Sequence, residues 1–102
     1  MLVSRKKFTY KTKFVVSTPP NLEEGVLYVM PHYGVTVHSC MCGCGEKVVI
    51  PILPISEGGW SWIYNSNGVT LNPSVGNYNQ PCKSHYILTE GNVRWVTDSR
   101  RL

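Results

Sequence analysis

Three of the four cysteines fall one residue apart in "HSCMCGCGEKV" (38–48), and the fourth follows after a gap of 37 residues, in Cys82-x-x-His85. No other feature restricts the fold as much, because it asks two distant segments to meet. Disulfide bonding fits this spacing poorly. A bridge wants Cα atoms about 5.5 Å apart with converging Cβ vectors, which neighbours in Cys-x-Cys rarely offer. A soft metal ion is the better answer, and zinc takes four ligands tetrahedrally. In a straight strand, alternate side chains sit about 6.6–6.8 Å apart, too far for two sulfurs on one ion. Gly43 and Gly45 are therefore where the backbone is expected to bend.

The expected metal set is Cys40, Cys42, Cys44, Cys82 and His85, with His38 as a further candidate. That is more than four seats. One cysteine is spare, or the site exceeds a four-protein-ligand zinc, or some members stand behind the ligands. An iron–sulfur centre and uncoordinated packed thiols are the rival readings. Structural zinc contributes about 10–16 kcal/mol in small finger peptides, enough to hold a small domain together without any catalysis. Catalysis requires an open position carrying water and a base within reach. Glu46, two residues past Cys44, is the carboxylate placed to be that base, against the bland alternative of a solvated rim residue. Ser84 is the second catalytic candidate, through a bond to a ligand sulfur or to substrate, against the role of a turn hydroxyl. His38 stands behind the ligands or faces solvent.

The remaining sequence predicts an all-β single domain over 1–102, of seven or eight short, mostly antiparallel strands around one zinc site. Residues 7–16, "KFTYKTKFVV", alternate: Phe8, Tyr10, Thr12, Phe14 and Val16 on one side, Lys7, Thr9, Lys11 and Lys13 on the other. Further strands are expected at 26–30, 34–39, 47–55 (interrupted at Pro51 and Pro54), 60–64, 69–72, 85–90 and 93–98. Asn67-Gly68 and Gly91-Asn92 read as hairpin turns. "NLEEG" is the one helical-turn candidate, and "NPSVGNYNQPCKSH" reads as a long loop delivering Cys82 and His85. Trp60, Trp62 and Trp95 read as core or core-edge residues.

With 42% hydrophobic and 16% charged residues, wholesale disorder is excluded. The net charge of +4 gathers at Arg5, Lys6, Lys7, Lys11 and Lys13, then at Arg94, Arg100 and Arg101. Solvated strand faces account for it more simply than nucleic acid does. The start "MLVSRKKFTYK" has no apolar core of a secretory signal, and no stretch approaches the length of a membrane span. A cytoplasmic location is the expectation, where clustered thiols stay reduced.

The segments "GVLYVM", "CMCGCGEKVVIPI", "GVTLNPSVGN" and "CKSHYILTEGNVRW" together resemble a small bacterial domain family with a Cys-x-Cys-Gly-Cys-Gly signature, over residues 22–96. The resemblance implies a metal-binding domain encoded beside bacterial ubiquitin-like proteins and their activating and conjugating enzymes. It implies a zinc-dependent peptidase that trims or removes the ubiquitin-like modifier. The expected partners are that modifier, its precursor or conjugates, and the pathway's activating and conjugating enzymes. The resemblance points to Cys40, Cys42, Cys44, Cys82 and His85 as the metal set. A non-catalytic zinc-stabilised interaction module and a nucleic-acid-binding module are the alternatives from other classes.

Overall fold

The computed structural model describes residues 6–76 and 82–96. Nine strands lie among them: β1 Lys11–Phe14, β2 Val26–Met30, β3 Val35–Ser39, β4 Lys47–Pro51, β5 Ser61–Asn65, β6 Gly68–Asn72, β7 Val75–Gly76, β8 His85–Thr89 and β9 Asn92–Trp95. The all-β expectation holds. The additional strand is β7, two residues inside the stretch expected to be a loop.

The strands form three sheets: β1-β2-β3-β4, the hairpin β5-β6, and β7-β8-β9. All pairings are antiparallel except β1 with β2. β2, "VLYVM", is buried at every position, as a strand covered on both faces must be. β4 alternates, burying Val48 and Ile50. Between β2 and β3 runs a 3-10 turn, Pro31–Tyr33, started by Pro31 and closed by Gly34 at φ 67°. This, and not "NLEEG", is the helical segment of the described residues.

Both expected hairpins form, each with its turn one residue earlier than anticipated. Asn65 pairs with Gly68, so Ser66 and Asn67 make the first turn and Gly68 belongs to β6. Thr89 pairs with Asn92, so Glu90 and Gly91 turn the second, at φ 51° and 81°. Positive φ at both central positions is the type I′ pattern that suits the twist of paired strands.

The expected strand over 7–16 divides in two. Residues 8–10 lie against the third sheet, where Val93 N–H donates to Phe8 O and Tyr10 N–H to Gly91 O. From Lys11 onward the chain joins β2. The change of sheet breaks the period: Tyr10 is buried, whereas Phe8, Phe14 and Val16 are 65%, 45% and 81% exposed. Phe14 stacks edge-on against Tyr64, centroids 4.9 Å apart, in place of entering the core. Strand 93–98 is seen as far as Trp95, and residues 97 and 98, with Arg5, Arg100 and Arg101, lie outside the described residues.

One cluster joins the sheets: Leu27 and Val29, Val48 and Ile50, Val69 and Leu71, Tyr86 and Leu88, with Tyr10, Cys40 and Met41. Trp60, Trp62 and Trp95 edge it, and each indole N–H meets a backbone carbonyl, of Ser74, Leu53 and Lys7 respectively. No helix of the described residues is long and apolar enough to cross a membrane.

Candidate functional site

β3 carries the chain inward, so Cys40 at its end is 1% exposed, while Cys42 and Cys82 are half-buried and Cys44 is exposed. The stretch after β3 then folds back on itself. Gly43 N–H donates to Cys40 O and Cys40 N–H to Glu46 O, with Gly43 and Gly45 at φ 87° and 88°. These are values an L side chain rarely adopts, so the bend expected at the glycines is present. All four Sγ atoms lie within 4.8 Å of one another. Cys40 is 3.5 Å from Cys42 and 3.8 Å from Cys82, sulfur to sulfur. A tetrahedral zinc with Zn–S about 2.3 Å sets its sulfurs about 3.8 Å apart. The donor set therefore fits a metal ion.

The backbone supports the same fit. Cys40, Cys44 and Cys82 each accept an N–H from the residue two positions on, namely Cys42, Glu46 and Ser84. Such donors stabilise thiolates, the form that binds metal. Ser84 adds its hydroxyl, donating to Cys82 Sγ at 3.2 Å and standing 3.7 Å from Cys40 Sγ. Burial raises the Cys82 thiol, but the Ser84 hydroxyl and N–H and the thiols of Cys42 and Cys44 outweigh it, bringing the group down to about 7. Cys40 moves the other way, pushed up chiefly by burial.

Behind the thiols stands Tyr86. Its hydroxyl is 2.7 Å from His38 Nε2, accepts Met41 N–H at 3.4 Å and lies 3.9 Å from Cys40 Sγ. His38 is wholly buried, and burial pulls it down to about 4, so the ring is neutral at pH 7. Its Nδ1 has no hydrogen-bond partner. Placing the ring's one proton on Nε2 avoids a buried orphaned N–H, the costlier defect. Nε2–H then donates to Tyr86, leaving the phenol proton for Cys40. Of the two positions open to His38, this is the one behind the thiols.

His85 falls outside the thiol group. It opens β8, paired with Gly76 of β7, and its Nε2 lies 2.7 Å from Ser74 Oγ. Ser74 sits between β6 and β7, just past Pro73, which has no N–H to prolong the ladder. Its carbonyl accepts the Trp60 indole N–H at 3.2 Å. Both side chains are half-buried, sheltered yet reachable. A serine hydroxyl within hydrogen-bond reach of an imidazole nitrogen is the contact that a nucleophile–base pair requires. Ser84 faces the sulfurs, and Glu46 is exposed with its backbone serving the cysteine loop.

Ser74 was not a candidate from sequence. A serine–histidine pair has no characteristic spacing, since its members meet only in the fold. The trace available was "NPSVGN", a segment of the family resemblance with no role attached to its serine.

No curated protein and no solved structure matches the chain. A family model does, over residues 14–96 of the 102. Its description reads BubE, bacterial ubiquitination-like system serine protease. The pathway and the proteolytic activity agree with the resemblance seen in the sequence. The description names a serine protease where that resemblance implied a zinc-dependent one.

Proposed function

The chain belongs to the BubE family of bacterial ubiquitination-like system serine proteases, and from that premise we propose that Ser74 is its nucleophile and His85 its general base. The observation that carries the reading is the 2.7 Å contact between Ser74 Oγ and His85 Nε2. With the neutral imidazole protonated at Nδ1, Nε2 accepts the hydroxyl proton as Oγ attacks a peptide or isopeptide carbonyl. The C–N bond breaks, the imidazolium returns its proton to the departing amine, and an acyl-serine remains. Water, deprotonated by the same nitrogen, attacks the ester and regenerates Ser74. The substrate class is a ubiquitin-like modifier, as precursor or conjugate. The free thiols suit the reducing cytoplasm.

The metal has a different place in this scheme. Cys40, Cys42, Cys44 and Cys82 would hold it, and we propose zinc because an all-thiolate set is characteristic of closed structural sites. When bound it supplies cross-linking of the 40–46 bend to the 82–84 turn. Cys82 lies three residues before His85, so that cross-link fixes where β8 begins and thereby where the imidazole stands. Ser84 serves as a donor to the thiolates, and Glu46 as the residue closing their loop. His85 is left to the chemistry.

The test is turnover of a ubiquitin-like precursor together with labelling by a fluorophosphonate, which reacts with activated serines. Ser74→Ala is expected to abolish labelling and to lower kcat by about 10⁴-fold or more, and His85→Ala by a similar factor, with metal content and melting temperature retained. A folded, metal-loaded Ser74→Ala protein that still turns over would overturn the assignment and return the chemistry to a zinc-bound water.

A further inference from the structure

Beside the Ser74–His85 pair the surface carries a groove of about 380 Å³, lined by the outer residues of β5, β6, β8 and β9. Its position follows from strand register. Along β8, His85, Ile87 and Thr89 are half-buried while Tyr86 and Leu88 are buried, so His85 and Ile87 share the outward face. Two residues of strand separate them by about 6.6–6.8 Å. Asn72, on the opposite bank, lies two residues before Ser74. The groove therefore starts about two strand residues from the serine and histidine, at Asn72 and Ile87, and runs along β8 away from them.

Its chemistry is specific. Ile63 and Ile87 supply an aliphatic floor, and Ile63 is 63% exposed. Thr70 hydroxyl accepts Glu90 N–H at 2.9 Å, holding β6 to the β8–β9 turn and fixing the groove's width. Arg94 pairs directly across from Ile87, and directly paired residues of antiparallel strands project on the same face. Among the described residues no acidic side chain lines the groove, and the Lys7–Glu24 and Lys13–Glu23 ion pairs lie elsewhere. An exposed arginine sharing a groove with an apolar floor is complementary to an acid and not to another base.

We infer that this groove receives an extended stretch of the substrate on one side of the scissile bond, about two residues from it, with an aliphatic group over Ile63 and Ile87 and a carboxylate beside Arg94. The substrate class is an extended peptide tail carrying Asp or Glu near the cleaved bond. This inference rests on the serine-peptidase reading above. Because β8 advances about 3.4 Å per residue and an extended peptide does the same, the Ile87–Arg94 pair meets the second residue from the bond. Arg94 acts here as a specificity-determining residue and takes no part in bond breaking.

The experiment uses the metal-loaded full chain and a positional-scanning library of internally quenched decapeptides. Wild-type protein is expected to prefer Asp or Glu over Lys at one position about two residues from the cut, by about tenfold in kcat/KM. Arg94→Glu is expected to reverse the preference toward Lys, Arg94→Gln to flatten it, and Arg94→Lys to preserve it. A reversal is a gain that mere loss of folding cannot produce. Absence of an acidic preference in wild type, or its persistence in both Arg94→Glu and Arg94→Gln, overturns the inference while the Ser74→Ala result stands untouched. Failure of wild-type protein to label with fluorophosphonate would instead remove the serine-peptidase reading, and this inference with it.

Discussion

Tyr86→Phe removes a single oxygen from the centre of the molecule, and the structure sets the cost. The phenol oxygen accepts from His38 Nε2 and from Met41 N–H, and His38 and Met41 are both 0% exposed. Neither donor can turn to water. Each orphaned buried donor costs about 1–3 kcal/mol, so the substitution should destabilise by roughly 2–5 kcal/mol. The ring keeps its edge contact with Trp95, centroids 5.0 Å apart, so little packing is lost with the oxygen. The assay is urea unfolding of the metal-loaded protein, comparing midpoints at constant slope. A second substitution sharpens it. In a His38→Phe background only Met41 N–H remains to be orphaned, so the cost of Tyr86→Phe should fall by about 1–2 kcal/mol. A loss below about 0.5 kcal/mol, or equal losses with and without His38, would refute the proton arrangement deduced for this cluster.

Three further outcomes follow from the same geometry. Cys40→Ser should lower metal content and melting temperature together, because the thiolate lost is the buried one, and a chelator should do the same to wild type; metal analysis with calorimetry checks both. Burial, offset in part by a hydrogen bond with Gly91 and reinforced by Glu90, raises the Tyr10 phenol to about 12, so its contribution is complete below pH 10 and is lost between pH 10 and 12. Over that interval the unfolded state gives up the proton first, and about 2–3 kcal/mol should disappear in wild type but not in Tyr10→Phe, measured by denaturant titration against pH. Gly34→Ala should cost more than Gly58→Ala. Both residues have positive φ, but a Cβ at Gly34 would come within 2.7 Å of Ile55 Cβ whereas one at Gly58 meets nothing within 4 Å; paired melting curves decide it, with about 1 kcal/mol expected at Gly58.

The cysteine framework was legible because its chemistry is local: sulfurs spaced by single residues, with glycines where the backbone must turn, leave few other uses. β2 through β6 were legible for a similar reason, since apolar runs and turn residues announce themselves over short windows. His85 was misplaced by the same logic. Cys-x-x-His matches a metal spacing, but β8 begins at His85 and its side chain leaves on the face away from buried Tyr86, toward Ser74. What placed it is β7, two residues long and invisible to any periodicity. The segment 7–16 misled in the opposite direction. Its alternation is perfect in sequence, yet the chain changes sheets at Tyr10 and most of the apolar side stays outside.

That change of sheets also governs the order in which the molecule can be completed. Thr9 bridges Asn92, and the Tyr10 hydroxyl reaches the carbonyl of Val69 at 2.6 Å. Residues 9 and 10 therefore find partners 59 to 83 residues further along the chain. Long-range closure of this kind slows folding. Only when β9 is in place does the backbone of Phe8 gain its partner in the third sheet, so this seam closes between segments far apart in the chain.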